Sequence, residues 1–310
     1  MRHSSYHIPV LLNEVLEHLI TTPDGIYVDG TVGGGGHAEK ICERLSKQGM
    51  LIGIDADDDA MREAEQRLKQ FQSSIQIVHD NTVHFASILH SKHISTIHGL
   101  LLDLGVSSFQ LDEASKGFSF RGNERLDMRM DKRQSLDAYS VINTYESDEL
   151  ANVIWKYGEE KQSRRIARAI VKKRDTAPIE TTGQLASIIE AAVGGRFLIK
   201  TLARVFQSIR IEVNNELERL QSILMDSLQF LEVGGRIVVI SYHSLEDRIV
   251  KNFFNQCAAV SIPSGNKFQP DTPRNPELKI ITKKPIVASE EEQQINPRSR
   301  SAKMRVAERV

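Results

Sequence analysis

Four consecutive glycines at residues 33–36 constrain the fold of this chain more than any other feature. Residues 26–28 before them have the apolar composition of a short buried strand that ends on Asp29, and residues 38–45 after them have helical apolar spacing. Because glycine has no Cβ, a ligand can lie directly against the backbone N–H groups at the start of that helix. The pattern predicts a strand, a ligand-binding loop and a helix. A glycine-rich surface loop without a ligand is the alternative.

An acidic residue follows each of the first two predicted strands. Asp55 ends the strand at residues 50–54 and lies 25 residues after Gly30, close to the roughly 20-residue spacing at which an acid meets a nucleoside ribose in dinucleotide-binding folds. Asp29 ends the first strand, where a carboxylate would repel a pyrophosphate and attract an ammonium or a sulfonium. The loop departs from the register of NAD sites and lacks the Gly-Lys-Ser/Thr of a P-loop. These observations favour S-adenosylmethionine, an adenosine cofactor that carries both cations.

Composition sets limits on the compartment and on the partners. The 310 residues include 40 Lys and Arg against 41 Asp and Glu, so the formal net charge of −1 gives no overall signal for nucleic acid and any basic footprint must be local. The two cysteines, Cys42 and Cys257, lie in helical patterns and are expected to pack as small apolar side chains rather than to form a disulfide. Free thiols fit a reducing compartment. No stretch approaches 18 apolar residues, and no signal-peptide segment is recognisable. We therefore expect a cytoplasmic protein.

Strand and helix patterns alternate from residue 26 to residue 102, which predicts a parallel sheet with crossover helices. This alternation stops after Asp103, and the helical patterns beyond it lie at residues 147–157, 162–174 and 182–193. The sequence predicts domains at residues 1–108, 109–205 and 206–310, of which the second is a helical insertion.

The third predicted domain begins with one long helix over residues 206–230, and Gly234 and Gly235 are expected to end it as a C-cap. A strand at residues 236–241 and a helix at residues 245–257 follow. The last two strands are expected at residues 278–282 and 304–306.

Ligands of open α/β sheets bind beside the carboxyl ends of the strands, so the residues at those ends are the candidates for chemistry. Asp103 ends the strand at residues 97–102 and would face the transferred group, with Gly105 allowing close approach of a substrate. A helix cap or a loop hydrogen bond is the alternative role for Asp103. Phe85, beside another strand end, is a candidate cover for an adenine ring, and Ser241-Tyr242-His243 follows a later strand.

Two local stretches are net basic in a slightly acidic chain. The first accompanies a predicted helix and comprises Lys161, Arg164, Arg165, Arg168, Lys172, Lys173 and Arg174. The second comprises Arg298, Arg300, Lys303, Arg305 and Arg309. A solvated face is the usual explanation, but the local excess of cations favours phosphate contact. Phe118 and Phe120 stand among arginines, a mixture that suits single-stranded nucleic acid or, alternatively, a core that anchors the loop.

No metal site is predicted. The ten histidines stand in no His-Glu-x-x-His or Cys-x-x-Cys context. No Gly-x-Ser-x-Gly motif and no Cys–His nucleophile pattern is present either.

Several separated motifs, taken together and in order, resemble those of the bacterial RsmH/MraW family. They include His7-Ile-Pro-Val-Leu-Leu, Asp29-Gly-Thr-Val-Gly-Gly-Gly-Gly-His37, Leu102-Asp-Leu-Gly-Val-Ser-Ser108, Gly117-Phe-Ser-Phe120, Tyr157-Gly-Glu-Glu160, Ser241-Tyr-His-Ser-Leu-Glu-Asp-Arg248 and Asn296-Pro-Arg-Ser-Arg-Ser-Ala-Lys303. The match runs nearly end to end and is much more specific than the glycine loop alone. Departures are small: Ala38 and Lys116 stand where many relatives have Ser and Arg.

The resemblance implies an α/β fold of class I S-adenosylmethionine-dependent methyltransferases, Rossmann-like with a seven-stranded, mainly parallel sheet and an inserted all-helical substrate-recognition domain. It implies methylation of the N4 amine of a cytidine in the decoding region of 16S ribosomal RNA, with the small ribosomal subunit as the expected partner. No membrane partner is expected, and a homodimer is left open. A DNA amino-methyltransferase and a non-catalytic, cofactor-binding module of ribosome assembly are the alternatives.

The resemblance also implies the cofactor contacts, whereas the catalytic and substrate-binding roles are assigned from the residues themselves. The cofactor contacts are Gly35, Gly36, His37, Asp55, Phe85, Asp103 and Gln110. Asp103 is the candidate catalytic residue, because an acceptor that hydrogen-bonds the exocyclic N–H of cytosine would favour an exposed nitrogen lone pair. The candidate substrate-binding residues are Ser107, Ser108, Arg164, Arg168 and His243.

Overall fold

The computed structural model describes residues 9–105, 116–195, 197–266 and 268–310. The chain divides into two compact units: unit one comprises Met1–Gly105 and Leu217–Val310, and unit two comprises Val106–Glu216. None of the helices in the described ranges has both the length and the apolar composition that a lipid bilayer demands of a spanning segment.

The described residues form strands and helices in the following order along the chain. The strands are β1 Ile26–Asp29, β2 Met50–Asp55, β3 Ile75–His79, β4 Ile97–Asp103, β5 Leu231–Ser241, β6 Ser261–Ile262, β7 Thr272–Pro273, β8 Leu278–Ile280 and β9 Lys303–Arg309. The helices are α1 Leu12–Leu19, α2 Gly36–Arg44, α3 Asp58–Arg67, α4 Phe85–Ser91, α5 Ala138–Thr144, α6 Ser147–Gly158, α7 Ser163–Arg174, α8 Thr182–Val193, α9 Leu198–Asn214, α10 Glu216–Phe230, α11 Ser244–Cys257 and α12 Glu290–Ile295.

Unit one contains a seven-stranded sheet in the order β3-β2-β1-β4-β5-β9-β8. The first five strands in that order are parallel, because a helical crossover connects each strand to the next one in the chain. β9 runs antiparallel to both β5 and β8. The predicted seven-stranded, mainly parallel sheet is confirmed, and the last two expected strands are β8 and β9.

Alternate residues of the strands pack on opposite faces of this sheet. Tyr27 of β1 joins one apolar cluster together with Ile41 of α2. Val28, the next residue of β1, joins a second cluster with Ile88 of α4 and Phe254 of α11. Both faces of the sheet are therefore covered, which is the usual condition of a parallel sheet and leaves its carboxyl edge as the place for polar residues.

Unit two is helical in the residues that the structure describes. Its three predicted helical segments are found as α6, α7 and α8. Thr181 begins α8 with a capping box, because its side chain accepts from the backbone of Gln184 while the side chain of Gln184 accepts from the N–H of Thr181. Ile154, Ile170 and Phe206 belong to one buried cluster of this unit, so unit two has its own hydrophobic core.

The long helix predicted over residues 206–230 is instead two helices. Asn215 separates α9 from α10 with φ 50° and ψ 40°, in the left-handed region that Asn adopts more readily than most residues. The apolar spacing continues on both sides of this break, which explains why the sequence pattern suggested one helix. Helix α9 therefore runs across the predicted domain boundary at residues 205 and 206, and unit two ends at Glu216.

Gly234 and Gly235 do not cap a helix, as the sequence suggested, but lie within β5. The pairing of β4 with β5 shifts register here, from Ile97 opposite Leu231 to Gly99 opposite Arg236. Gly234 has φ +85°, and a Cβ on Gly235 would lie only 3.0 Å from the backbone oxygen of His98. The two glycines therefore serve a bulge in the strand.

Candidate functional site

Three carboxylates mark the carboxyl ends of neighbouring parallel strands in unit one. Asp55 ends β2, Asp29 ends β1 and Asp103 ends β4, and these strands are consecutive in the sheet. Asp29 is only 1% exposed, whereas the side chain of Asp103 is 22% exposed. The strand ends that the sequence analysis selected are thus brought to one edge of the sheet, where α/β folds bind their ligands.

The glycine loop runs from β1 to α2 and is fixed by Asp55. The backbone N–H of Gly33 donates to Oδ2 of Asp55 at 2.9 Å, and the N–H of Asp57 donates to Oδ1 at 3.0 Å. Gly33 and Gly35 have φ of +50° and +80°, a region that favours glycine. Helix α2 begins at Gly36, so its first N–H groups have no partner within the helix and can meet a ligand.

Asp103 is held from three sides. Its backbone N–H donates to Oγ1 of Thr31 at 2.7 Å, which ties the end of β4 to the glycine loop. The hydroxyl of Tyr242 donates to Oδ1 of Asp103 at 2.8 Å. Nδ1 of His37 lies 3.5 Å from the second carboxylate oxygen, Oδ2. The carboxylate therefore has a fixed direction and remains partly accessible.

The hydrogen bonds of His37 define what it presents to Asp103. Nε2 lies 2.9 Å from the carbonyl oxygen of Val10, which can only accept, so Nε2 carries the proton of a neutral ring. Nδ1 then offers a lone pair toward Oδ2 of Asp103. Burial raises the pKa of Asp103 to about 7, and burial lowers the pKa of His37.

Burial makes ionisation of the three carboxyl groups at this edge unfavourable. Burial raises the pKa of Asp29 to about 7, against the opposing effect of His37, and burial also raises the pKa of Asp55. Among the residues that the structure describes, neither Lys nor Arg forms an ion pair with Asp29, Asp55 or Asp103. Such a site favours a ligand that carries positive charge.

The structure places Phe85 differently from the expected adenine cover. Phe85 begins α4 and has no exposed surface; its ring packs edge-on against Phe230 at 5.8 Å between centroids. The ring is therefore part of the core beneath the strand ends in this structure, and its contact with a cofactor stays a prediction.

His243 performs a structural role that the sequence analysis did not foresee. Its Nδ1 accepts from the backbone N–H of Glu246 at 3.4 Å, and the carboxylate of Glu246 accepts from the N–H groups of Tyr242 and His243. This capping box begins α11. It also fixes the backbone of Tyr242, the residue that holds Asp103. Substrate contact by His243 stays a prediction.

The remaining predicted site residues are not brought together by what the structure describes. Ser107, Ser108 and Gln110 lie outside the described residues. Arg164 and Arg168 are exposed on α7 in unit two, where Nε of Arg168 donates to the carbonyl oxygen of Arg164 at 3.2 Å.

Several aromatic and basic candidates take structural roles. Phe118 is 7% exposed in the core of unit two, and Phe120 packs edge-on against Phe206, so the core alternative describes both rings. Arg305 in the basic tail pairs with Asp247 inside unit one. These pairings account for part of the aromatic and basic patterns without a nucleic acid.

The structure adds Thr31 and Tyr242 to the candidate site. Thr31 lies in the glycine loop, where the sequence analysis assigned it no role, and Tyr242 was noted after a predicted strand without a role. Their contacts with Asp103 join residues that are 72 and 139 positions apart. Only the order of the strands in the sheet places them together.

Comparison with known proteins identifies the family. A family model described as the MraW methylase family matches residues 4–310. Proteins named ribosomal RNA small subunit methyltransferase H are similar to this chain along almost their whole length. The protein from Clostridioides difficile strain 630 is 47% identical over 308 residues, covering 98% of this chain and 99% of the relative.

Two further proteins with the same name are similar to this chain at about the same level of identity. The protein from Clostridium botulinum strain Kyoto is 48% identical over 311 residues, covering 98% and 99% of the two chains. The protein from Dehalococcoides mccartyi strain BAV1 is 50% identical over 305 residues, covering 98% and 86%. The resemblance drawn from the motifs is confirmed, together with the fold class of S-adenosylmethionine-dependent methyltransferases: the chain belongs to the MraW methylase family.

Proposed function

We propose that this chain transfers a methyl group from S-adenosylmethionine to the N4 amine of a cytidine in the decoding region of 16S ribosomal RNA. The observation that carries this proposal is the partly accessible carboxylate of Asp103, which accepts from the hydroxyl of Tyr242 while the backbone N–H of Asp103 donates to Thr31 in the glycine loop. Family membership supports methyl transfer, and the names of the relatives support ribosomal RNA as the substrate.

The residues present fit S-adenosylmethionine. The glycine loop offers backbone N–H groups at the start of α2. The backbone N–H groups of Gly33 and Asp57 donate to different oxygens of Asp55, and because a carboxylate can accept about four hydrogen bonds, capacity remains for the hydroxyls of a ribose. The carboxylates of Asp29 and Asp103 favour the ammonium and the sulfonium of the cofactor. When bound, the cofactor supplies an electrophilic methyl group on a positively charged sulfur.

Asp103 performs the central chemical task in this proposal. The exocyclic amine of cytosine is a poor nucleophile because its lone pair is conjugated into the ring. A carboxylate that accepts a hydrogen bond from this amine favours a pyramidal nitrogen with an exposed lone pair. The pKa of about 7 suits Asp103 to accept the proton that the nitrogen releases. Tyr242 keeps the accepting oxygen in place, which contributes orientation.

Binding of RNA is assigned to unit two in this proposal. The exposed cations of α7, including Arg164 and Arg168, provide charge for phosphate groups, while Ile166 and Ile170 on the other face of the helix are buried. The target cytidine must leave its stack to reach a site at the end of a sheet. The small ribosomal subunit in the cytoplasm is the proposed setting, and the two free, buried cysteines suit that reducing compartment.

Mass spectrometry of nucleosides tests the proposal. The protein is incubated with methyl-deuterated S-adenosylmethionine and with small ribosomal subunits that lack base methylation. We expect labelled N4-methylcytidine from one position of the decoding region. A label on another base would contradict the proposed specificity. No label on subunits, on free ribosomal RNA or on DNA, with cofactor binding intact, would instead favour the non-catalytic alternative.

A further inference from the structure

A pocket in unit one shares no residue with the candidate functional site. It has a volume of about 200 Å³ and lies among α11, the end of β8 and β9. Pockets that enclose a whole small-molecule ligand usually measure about 300–1,000 Å³. The smaller volume of this pocket suits one functional group of a larger ligand rather than the whole ligand.

Arg305 supplies the most firmly placed cation of this pocket. The residue is 8% exposed, and its Nε and Nη2 lie 2.6 and 3.3 Å from the two oxygens of Asp247. The third guanidinium nitrogen, Nη1, has no hydrogen-bond partner in the part of the chain that the structure describes. A guanidinium oriented by a carboxylate on one side and free on the other is prepared to bind an anion.

Two lysines face the same pocket. Lys251 on α11 and Lys283 after β8 are exposed, and neither has an ion-pair partner within the described ranges. Asn255 follows Lys251 by one helical turn and lines the pocket with it. The hydroxyl of Thr282 accepts from the N–H of Val306 and keeps its own proton to donate.

The charge around this pocket is strongly positive. Lys251, Lys283 and Arg305 line it, and Lys303 lies 3.7 Å from the carboxylate that orients Arg305. Asp247 is the only acid that the described structure pairs with any of these four cations. Phe254 and Ile280 supply apolar walls, beside which an electrostatic attraction is screened less than in water.

From this geometry we propose that the pocket binds a phosphate group. Side chains with ammonium, guanidinium, amide and hydroxyl donors line one small volume, and such a set matches the several acceptor oxygens of a phosphate better than the two of a carboxylate. The phosphate belongs either to an RNA backbone or to a free phosphate compound. If the phosphate belongs to the RNA backbone, the pocket is a contact for the RNA beyond the methylated base, and this case rests on the proposed function. Binding of a free phosphate compound does not rest on it.

The first experiment asks for phosphate binding alone. The full chain is labelled with ¹³C at isoleucine methyl groups, and inorganic phosphate is titrated against chloride at constant ionic strength. The signal of Ile280, assigned with Ile280→Val, should shift in a saturable manner in the wild type. The shift should be absent in the Lys251→Gln/Lys283→Gln variant. It should persist in Lys47→Gln/Lys69→Gln, which removes the same charge from exposed positions of unit one outside the pocket.

The second experiment measures affinity for a fragment of 16S ribosomal RNA without terminal phosphates, by fluorescence anisotropy. If the ligand is the RNA backbone, the Lys251→Gln/Lys283→Gln variant should bind about tenfold more weakly, with a salt slope smaller by roughly 1.5. The Lys47→Gln/Lys69→Gln control should bind as the wild type does.

The two experiments together decide the proposal. A response of Ile280 to inorganic phosphate with unchanged RNA affinity would assign the pocket to a free phosphate compound. A loss of RNA affinity confined to the pocket variant would assign it to the backbone. If the Ile280 signal does not respond to phosphate and the pocket variant keeps its RNA affinity, the proposal is overturned. Both readouts measure binding, so absence of methyl transfer would contradict the proposed function without affecting the phosphate result.

Discussion

The hydroxyl oxygen of Tyr242 lies 2.8 Å from Oδ1 of Asp103, so the end of β5 holds the carboxylate at the end of β4. Burial, reinforced by the charge of Asp103, raises the pKa of Tyr242 far above its usual range. The phenol therefore stays protonated at neutral pH and acts as the donor of this hydrogen bond. This contact also lowers the pKa of Asp103, against the larger effect of burial.

Replacing Tyr242 by phenylalanine should make the proposed methyl transfer require a higher pH. Loss of the donor raises the pKa of Asp103, so a larger fraction of the carboxyl group is protonated and unable to accept a hydrogen bond. We expect the acidic limb of the kcat profile to move to higher pH and kcat at neutral pH to fall by about tenfold or more, as for loss of a hydrogen bond to a charged group.

Tyr139→Phe is the matched control, because Tyr139 packs at the edge of the core of unit two and its replacement removes the same hydroxyl group. It should leave the pH profile unchanged. If Tyr242→Phe reduces kcat equally at every pH, then Tyr242 only maintains the local structure and does not tune Asp103.

Asp29 should make the ligand-free protein less stable as the pH rises. Burial raises its pKa from 3.8 to about 7. Between these two pH values the folded state binds more protons than the unfolded state. The contribution of Asp29 to the free energy of unfolding is therefore fully present below the unfolded pKa and is lost as the pH rises through 7. The lowered pKa of His37 acts in the opposite direction, which is why a variant must be compared with the wild type.

Thermal unfolding at about pH 5 and about pH 8 measures this effect. From the lower to the higher pH, the Tm of the wild type should fall by at least about 2 °C more than the Tm of Asp29→Asn falls. Asp226→Asn, at a position on α10 for which the described structure gives no hydrogen bond or ion pair, should retain the wild-type pH dependence. Equal slopes for the wild type and Asp29→Asn would mean that Asp29 ionises normally.

The exposed arginines of α7 should contribute to RNA affinity rather than to chemistry. Arg164→Gln combined with Arg168→Gln should weaken binding of a 16S ribosomal RNA fragment by about tenfold and reduce the salt slope by roughly 1.5. The rate at saturating RNA should remain near that of the wild type. Arg44→Gln with Lys47→Gln removes the same charge from exposed positions of unit one and should have little effect. Equal losses in both variants would show that only net charge matters.

The strands, the glycine loop and the acids at the strand ends were predictable because each depends on a short stretch of sequence. The apolar residues of β1, the glycines and Asp29 are adjacent, and the sheet edge that collects Asp29, Asp55 and Asp103 follows from parallel strands. The helices at residues 147–193 were predictable because helical apolar spacing replaces the strand patterns after Asp103.

Other features depend on contacts that no local pattern records. The hydrogen bond from Tyr242 to Asp103 requires the pairing of β4 with β5 across the intervening unit. Phe85 was expected at an open site because it follows a strand end, but packing against Phe230 buries it. The break at Asn215 was missed because apolar spacing continues through it. The periodicity of apolar residues indicates which face of a helix is buried. It cannot reveal that the backbone of one residue adopts the left-handed conformation.

In the proposed reaction Asp103 accepts a hydrogen bond, and then the proton, from the amine that becomes methylated. Asparagine can accept the hydrogen bond but not the proton, so we would measure single-turnover methyl transfer to small ribosomal subunits by Asp103→Asn, at saturating S-adenosylmethionine and with cofactor affinity measured on the same preparation. We predict that the rate falls by about 10²–10⁴-fold while Asp226→Asn remains at the wild-type rate. A rate for Asp103→Asn within about threefold of the wild type would contradict the account.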